Sequence, residues 1–499
     1  MLKFTLIAYG YIEYFFPKAS LRRKFLKGSV FSIIGTALRQ GLLLLAFILL
    51  ARIIGKADFG RISIIQSTMD MIGAFSVLGL SLTVTRYLAE YRETDVFRAG
   101  CLIGIVFVIC FISSLVVLLL AYVYAPLLAT FFLHDPQLVV PLRIATLLLL
   151  FNSLANVQSA IAVGIESFEI LAIIEGLRGF FVIPLVLLGA FFYGMIGGVY
   201  GLVANSIVGT LIGHVLLRRK LHSIGIKIQY TVAIYREARV ILNFSIPLFI
   251  SGIMVQPSMW IVRSFLTKLP DGYNELAVFE AAWRLESAIL LIGSGVSTAL
   301  LPLLVSKAGQ QSAKLQIGNI VISWGVGAIP GLLLICFPEI FSMIYGESFS
   351  MKNNYNIIII LMFSFIIMMY KQGIGRVLIV ESKMWWSVLS NLLWSLILII
   401  SSWFFVSQGA MGISLSFLIA YTVNLLLSLI AYSNTGIIPV SVIFTPQFFL
   451  IWIVLLVSSF LSWHGNFSFV IRLLLFFTEL SVMFYSFVSY FRKKITVPG

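Results

Sequence analysis

Charge is what this sequence lacks. Asp, Glu, Lys and Arg make up 11% of its 499 residues, less than half of the roughly 25% usual in soluble domains. Its length would allow three soluble domains, but apolar stretches recur all along the chain and no polar block is long enough to fold apart from them. Cysteine is scarce as well. The three present, Cys101, Cys110 and Cys336, are odd in number and sit in apolar runs without CxxC spacing, so neither a disulfide framework nor a thiolate metal site is indicated. The four histidines, His134, His214, His222 and His464, are too scattered to form a metal or base site. There is no Walker loop, HExxH, GxSxG or dinucleotide fingerprint. An ATP-driven pump is excluded, and no enzyme, cofactor or metal is expected. Long loops are missing too: none exceeds about 25 residues, and those expected outside the membrane are short. Polysaccharide polymerases and glycosyltransferases need a sizeable outer loop or an acidic catalytic pair at the membrane surface.

What is present is hydrophobic: 60% of the side chains, with a mean hydropathy of +1.06. The fold class is therefore all-α, a polytopic membrane protein. A span needs about 20 apolar residues to cross about 30 Å of hydrocarbon. By that measure roughly fourteen spans follow, at about 29–51, 62–85, 99–123, 141–162, 170–192, 195–217, 242–267, 276–305, 316–345, 356–378, 386–406, 411–433, 447–463 and 470–491. The formal charge of +15 comes from Lys and Arg dispersed at span ends, which suits orientation and anionic lipid and not nucleic acid. With the N-terminus in the cytoplasm, 21 of the 34 Lys and Arg lie in inner segments and 5 in outer loops; the positive-inside rule then places both termini in the cytoplasm. The first 28 residues carry an apolar run broken by Glu13 and Pro17, then the basic stretch Ser20 to Lys27. No small-residue cleavage site follows it, so an interfacial helix on the cytoplasmic leaflet is expected and not a removed signal peptide.

The spans divide into two halves. Phe31-Ser-Ile33 and Phe244-Ser-Ile246 each open a span after a basic segment, and an acidic outer loop follows each, holding Asp58 in one and Asp271 and Glu275 in the other. The next span in each half carries a carboxylate, Asp70 or Glu286. The expected parsing is a cytoplasmic N-terminal segment (1–28), a lobe of six spans (29–217), a basic linker (218–241), a second lobe of six (242–434) and two further spans with a tail (435–499). Pseudo-symmetric bundles of this kind are characteristic of transporters.

Eight basic residues fall inside spans: Arg39, Arg143, Arg178, Arg263, Arg284, Lys371, Arg376 and Arg472. Five acids accompany them: Asp70, Glu175, Glu280, Glu286 and Glu479. Each central charge costs about 2.5 to 3.5 kcal/mol if it faces lipid, so these charges must pair, snorkel or line water. Arg39 lies about 16 Å into its span, and Asp70 on the antiparallel neighbour falls at nearly the same depth, which predicts an Arg39–Asp70 pair. That pair serves equally as a structural bridge or as part of a substrate or coupling site. Arg143, Arg376 and Arg472 lie near span ends and are expected to snorkel. Arg39, Arg178, Arg263, Arg284 and Lys371 are the candidates for a cationic cavity; guanidinium groups match phosphate with paired hydrogen bonds. The spacings Gly194-xxx-Gly198, Gly197-xxx-Gly201 and Gly327-xxx-Gly331 allow close helix packing. Pro247 and Pro257 make the seventh span the preferred moving element. Trp260 and Trp283 each precede a span arginine.

The stretch Leu49-Leu-Ala-Arg-Ile-Ile-Gly-Lys-Ala-Asp-Phe-Gly60, with Ile64-Ile-Gln-Ser-Thr68 after it, resembles the first outer loop and second span of bacterial oligosaccharide flippases. Gly79-Leu-Ser-Leu-Thr-Val-Thr-Arg-Tyr-Leu-Ala-Glu-Tyr-Arg92 resembles their following cytoplasmic turn. These proteins form the polysaccharide transport family of the multidrug/oligosaccharidyl-lipid/polysaccharide exporter superfamily. The resemblance implies two six-helix lobes around a central cavity, with two helices appended. It also implies an undecaprenyl-diphosphate-linked oligosaccharide as substrate, turned from the cytoplasmic to the periplasmic leaflet of the bacterial inner membrane. Coupling to H+ or Na+ is implied as well, for which Asp70, Glu280 and Glu286 are the available carboxylates. Membrane lipids, a polysaccharide polymerase and glycosyltransferases are the expected partners; nucleic acid is not. A lipid II flippase and a multidrug exporter of the same superfamily are the alternatives, followed by a membrane polysaccharide polymerase.

Overall fold

The computed structural model describes residues 21–77, 79–229, 254–305, 313–350, 352–380, 384–434, 446–464 and 467–495. All regular structure among them is helical. In hydrocarbon every backbone N–H and C=O must be satisfied within the chain, which leaves a helix as the form each apolar run can take. The chain is an all-α polytopic membrane protein. Eight stretches of the described residues are long and apolar enough to cross a membrane, and Phe448–His464 is a shorter apolar helix. The N-terminal residues 1–20, the second half of the basic linker, and the start of the seventh span with Pro247 and Phe244-Ser-Ile246 lie outside the described residues.

Two compact units form, one from Met1–Ile54 with Ile64–Pro257 and the other from Gly55–Ser63 with Ser258–Gly499. The first contains α1 (Leu21–Ile54), most of α2 (Lys56–Val77), α3 (Leu80–Thr94), α4 (Val96–Leu127), α5 (Val139–Ala145) and α6 (Leu147–Gly164). The segment Phe168–Ser223 follows and is two helices, α7 (168–192) and α8 (195–223), because Tyr193 and Gly194 leave helical geometry between them. Gly194 has φ +57°, a conformation that glycine adopts without steric cost. The two helices fold back as a tight hairpin. A Cβ on Gly197 would meet the Gly189 carbonyl, and one on Gly201 would meet Leu185 and Val186. Of the predicted packing glycines, Gly197 and Gly201 therefore line the helix contact, while Gly194 makes the turn.

Helix α1 lies along α7. A Cβ on Gly35 would come within 2.5 Å of the Ala172 backbone, and one on Gly179 within 2.7 Å of the Arg39 Cα. Helices α3, α4 and α6 enclose the apolar core of this unit, with Leu88, Ile103, Val106, Val157 and Ile161 fully buried. The predicted second span is broken in the structure: α2 ends at Val77, and Gly79, with φ 71°, precedes α3.

The second unit contains α9 (Val255–Leu266), α10 (Gly272–Val305), α11 (Ala313–Cys336), α12 (Glu339–Tyr345), α13 (Lys352–Val380), α14 (Met384–Phe405) and α15 (Gly409–Asn434). It also contains α16 (Pro446–His464) and α17 (Phe469–Ile495). Helices α10, α11, α13 and α15 pack together, and α16 and α17 rest on each other and on α11. Trp324, fully buried, stacks on Trp452 and meets Tyr370 and Phe448 edge-on. Gly327 and Gly331 press against Met369 and Ile366, the close packing their spacing predicts. Residues 55–63, which the span parsing groups with the first lobe, cluster with this unit. Gly60 lets the start of α2 touch the Tyr273 carbonyl, Arg61 lies 5.1 Å over the Tyr273 ring, and Phe59 is fully buried near Tyr345.

Candidate functional site

Unit one gathers three of its membrane charges, Arg39, Glu175 and Arg178, into one network. Arg39 Nη1 donates to Glu175 Oε2 at 2.8 Å. Arg178 Nη1 donates to the other oxygen, Oε1, at 3.0 Å, and Ser159 Oγ donates to that same oxygen at 2.8 Å. Arg178 Nη1 also reaches Ser159 Oγ at 3.1 Å, and its Nη2 donates to Gln158 Oε1 at 3.1 Å. The Gln158 amide in turn donates to the Thr210 carbonyl of α8 at 3.0 Å. Two guanidinium groups thus share one carboxylate and leave an excess of one positive charge. Glu175 and Arg178 side chains are 8% and 10% exposed, whereas Arg39 is 40% exposed.

The partner of Arg39 differs from the one its depth predicts. The cause is helix packing: Gly35 and Gly179 bring α1 against α7, so Arg39 emerges beside Glu175. Asp70 sits on an exposed position of α2. Glu175 counts in the sequence only as one more charge within a span. Its signal is the three-residue spacing to Arg178, which puts both on one helix face. The adjacent polar pair Gln158 and Ser159, within an otherwise apolar span, is a second signal.

Unit two distributes its charges differently. Arg263 Nε on α9 donates to Glu280 of α10, both side chains being buried, and the guanidinium lies 5.7 Å over the Trp283 ring. Glu286 is buried further along the same helix as Glu280 and lies in the field of Arg263. Trp283 itself stacks on Phe279 and packs against Phe417. Arg284 lies 5.8 Å over the Phe59 ring. Lys371 of α13 donates to Asn424 Oδ1 of α15, and Asn424 is fixed by donating to the Ser390 carbonyl at 2.7 Å.

The three arginines expected to snorkel are all engaged. Arg376 is 6% exposed; its Nε donates to Asn319 Oδ1 at 2.7 Å and its Nη2 to Ser323. Arg472 pairs with Glu339, and Arg143 lies 5.0 Å over the Tyr122 ring. Nearness to a span end is what suggested snorkelling. Polar groups on the neighbouring helix, Asn319 and Ser323, offered Arg376 bonds inside the bundle instead.

A profile of the polysaccharide biosynthesis protein family matches residues 25–308, more than half of the chain. The chain belongs to the polysaccharide biosynthesis protein family. No curated protein matches the sequence. Among solved structures, the fold is similar to the lipid II flippase MurJ in an inward closed conformation. The two are 17% identical with a TM-score of 0.68, over 94% of this chain and 99% of that one. It is also similar to the MATE multidrug transporter DinF-BH, at 15% identity and a TM-score of 0.60, covering 84% of this chain and 96% of that one. A third is a MOP superfamily transporter from Pyrococcus furiosus, described for the reverse polarity of its binding pocket. It is 16% identical with a TM-score of 0.55, over 85% of this chain and 97% of that one. At these identities the likeness is one of fold, and it gives this family member the architecture of a flippase-type transporter. The neighbours are transporters and not enzymes.

Proposed function

We propose that the protein is a flippase that carries a polyprenyl-diphosphate-linked oligosaccharide from the cytoplasmic to the periplasmic leaflet of the bacterial inner membrane by alternating access. The observation that carries this reading is the network of Arg39, Glu175 and Arg178, in which membrane-embedded cations outnumber their counter-ion. A guanidinium open to water at this depth suits a phosphate or diphosphate. Lys371 adds to the reading, since its amide partner accepts a hydrogen bond from it without cancelling its charge. Arg263 and Arg284 complete the cationic set. The family match supports surface polysaccharide biosynthesis as the process, with glycosyltransferases supplying the substrate and a polymerase consuming the product. Asp70, Glu280 and Glu286 are the carboxylates available for coupling to H+ or Na+, and both termini face the cytoplasm.

The test is leaflet translocation of a labelled polyprenyl-diphosphate oligosaccharide in proteoliposomes. Wild type should move it, and folded Arg39→Ala, Arg284→Ala and Lys371→Ala variants should lose at least about tenfold in rate, a barrier change of about 1.4 kcal/mol. No movement by wild type would sink the reading. A multidrug exporter of the same superfamily is the second reading, favoured by one observation: α10 carries two buried carboxylates, Glu280 and Glu286, an acid-rich stretch that suits cations. Export of a cationic dye by vesicles that move no lipid-linked sugar would establish it.

A further inference from the structure

The two arginines on Glu175 are not equivalent. A guanidinium has five N–H donors. Arg178 is held on several sides: Glu175 and Ser159 take its Nη1, Gln158 takes its Nη2, and its stem fills the groove above Gly209, where a Cβ would come within 2.7 Å of its Cγ. Among the described residues Arg39 makes one hydrogen bond, to Glu175 Oε2, and its side chain is 40% exposed. Its Cα is pinned where Gly179 meets it, so the backbone cannot withdraw and only the side chain is free to turn. An arginine this deep would cost about 2.5 to 3.5 kcal/mol if its open side faced hydrocarbon, a cost that an opening to water and its solutes avoids.

Glu175 divides its oxygens in the same way. Oε2 serves Arg39, while Oε1 serves Arg178 and Ser159. If Arg39 turns away, the carboxylate keeps one cation and one hydroxyl and is not left as a bare buried charge, the situation that makes broken buried pairs costly. A bridge whose task is to hold α1 to α7 would bury both partners, as Arg178 and Glu175 are buried, and those helices are already joined through Gly35 and Gly179.

We propose that Glu175 is an internal counter-ion, which the diphosphate of a lipid-borne substrate displaces from Arg39 while Arg178 keeps the carboxylate in place. In the empty protein Glu175 occupies the Arg39 guanidinium and keeps out weakly binding anions. A diphosphate, offering more charge and paired acceptors, wins the exchange and is released when Glu175 returns. This assignment rests on the flippase reading above and extends it to a residue outside the expected cationic set.

Calorimetry on the full chain in detergent tests it, with farnesyl diphosphate as probe, inorganic diphosphate as the head group alone and farnesol as the neutral tail. Glu175→Gln should tighten farnesyl diphosphate binding about fivefold, and Glu175→Asp, which keeps the charge for Arg178 but shortens the reach to Arg39, about twofold. Arg39→Ala should weaken it about tenfold, and adding Glu175→Gln to Arg39→Ala should then bring no gain. Farnesol should bind all four alike. Folded Glu175→Gln and Glu175→Asp proteins with wild-type or weaker affinity would overturn the counter-ion role and leave the flippase reading standing. So would a gain of equal size in the Arg39→Ala background. Inorganic diphosphate binding as tightly as farnesyl diphosphate would overturn the lipid-borne source. Wild type that binds neither diphosphate and moves no lipid-linked sugar would overturn both readings together.

Discussion

In the first unit two arginines share one glutamate; in the second Arg263 and Arg472 each have a glutamate of their own, while Lys371 and Arg376 lean on neutral groups. Arg39 and Arg178 belong to a single network with Glu175. Arg263 is closed by Glu280, whereas Lys371 and Arg376 are held by Asn424, Asn319 and Ser323. The contrast shows that the number of basic residues in a set of spans does not describe its electrostatics. A carboxylate partner cancels a charge and an amide partner does not, so two arginines on one glutamate make an anion-attracting network in one place and one arginine on one glutamate makes a balanced pair in another.

The contrast is sharpest in stability. Arg263→Ala would leave Glu280 buried without its cation and should cost about 3 to 5 kcal/mol. Arg39→Ala should cost about 1 kcal/mol or less, since its partner retains Arg178 and its own side chain is partly in water. Unfolding of the detergent-solubilised variants measures both, and equal losses would erase the distinction between the two clusters. Backbone packing, by contrast, should behave alike in the two units. A Cβ at Gly179 would come within 2.7 Å of the Arg39 Cα, and one at Gly373 within 2.7 Å of the Ile320 Cα, so Gly179→Ala and Gly373→Ala should each cost about 1 to 3 kcal/mol. A large difference between them in the same unfolding assay would mean that one helix pair yields more readily than the other. An effect as small as that of Arg39→Ala belongs to Ser159→Ala, which removes one hydroxyl from the Glu175–Arg178 contact and should cost about 1 kcal/mol by chemical denaturation. A loss several times larger would show that the serine, and not the arginine, holds the carboxylate in place.

Much of the fold was legible in the sequence because hydrocarbon permits so few forms: an apolar run long enough to cross is a helix, and depth along it follows from residue count. The membrane charges were legible for the same reason. Their partners were not. Depth fixes one coordinate of a side chain but not the direction it takes around the helix, and Asp70 shared the depth of Arg39 without sharing its direction. That direction was set by Gly35 and Gly179, small residues whose meaning depends on which helix lies against them, here α7, whose Glu175 is 136 residues away in the chain. Chain continuity likewise grouped residues 55–63 with the helices around them, while Gly60, by admitting the Tyr273 backbone, groups them with the other unit.

The hairpin of α7 and α8 has a consequence for how the protein is made. Two residues, Tyr193 and Gly194, reverse the chain, and no polar segment separates the helices that could rest at the far surface while the second waits. Such a pair is expected to enter the bilayer as one unit. By the positive-inside rule, Arg218, Arg219 and Lys220 at the end of α8 would then orient two spans with one set of charges.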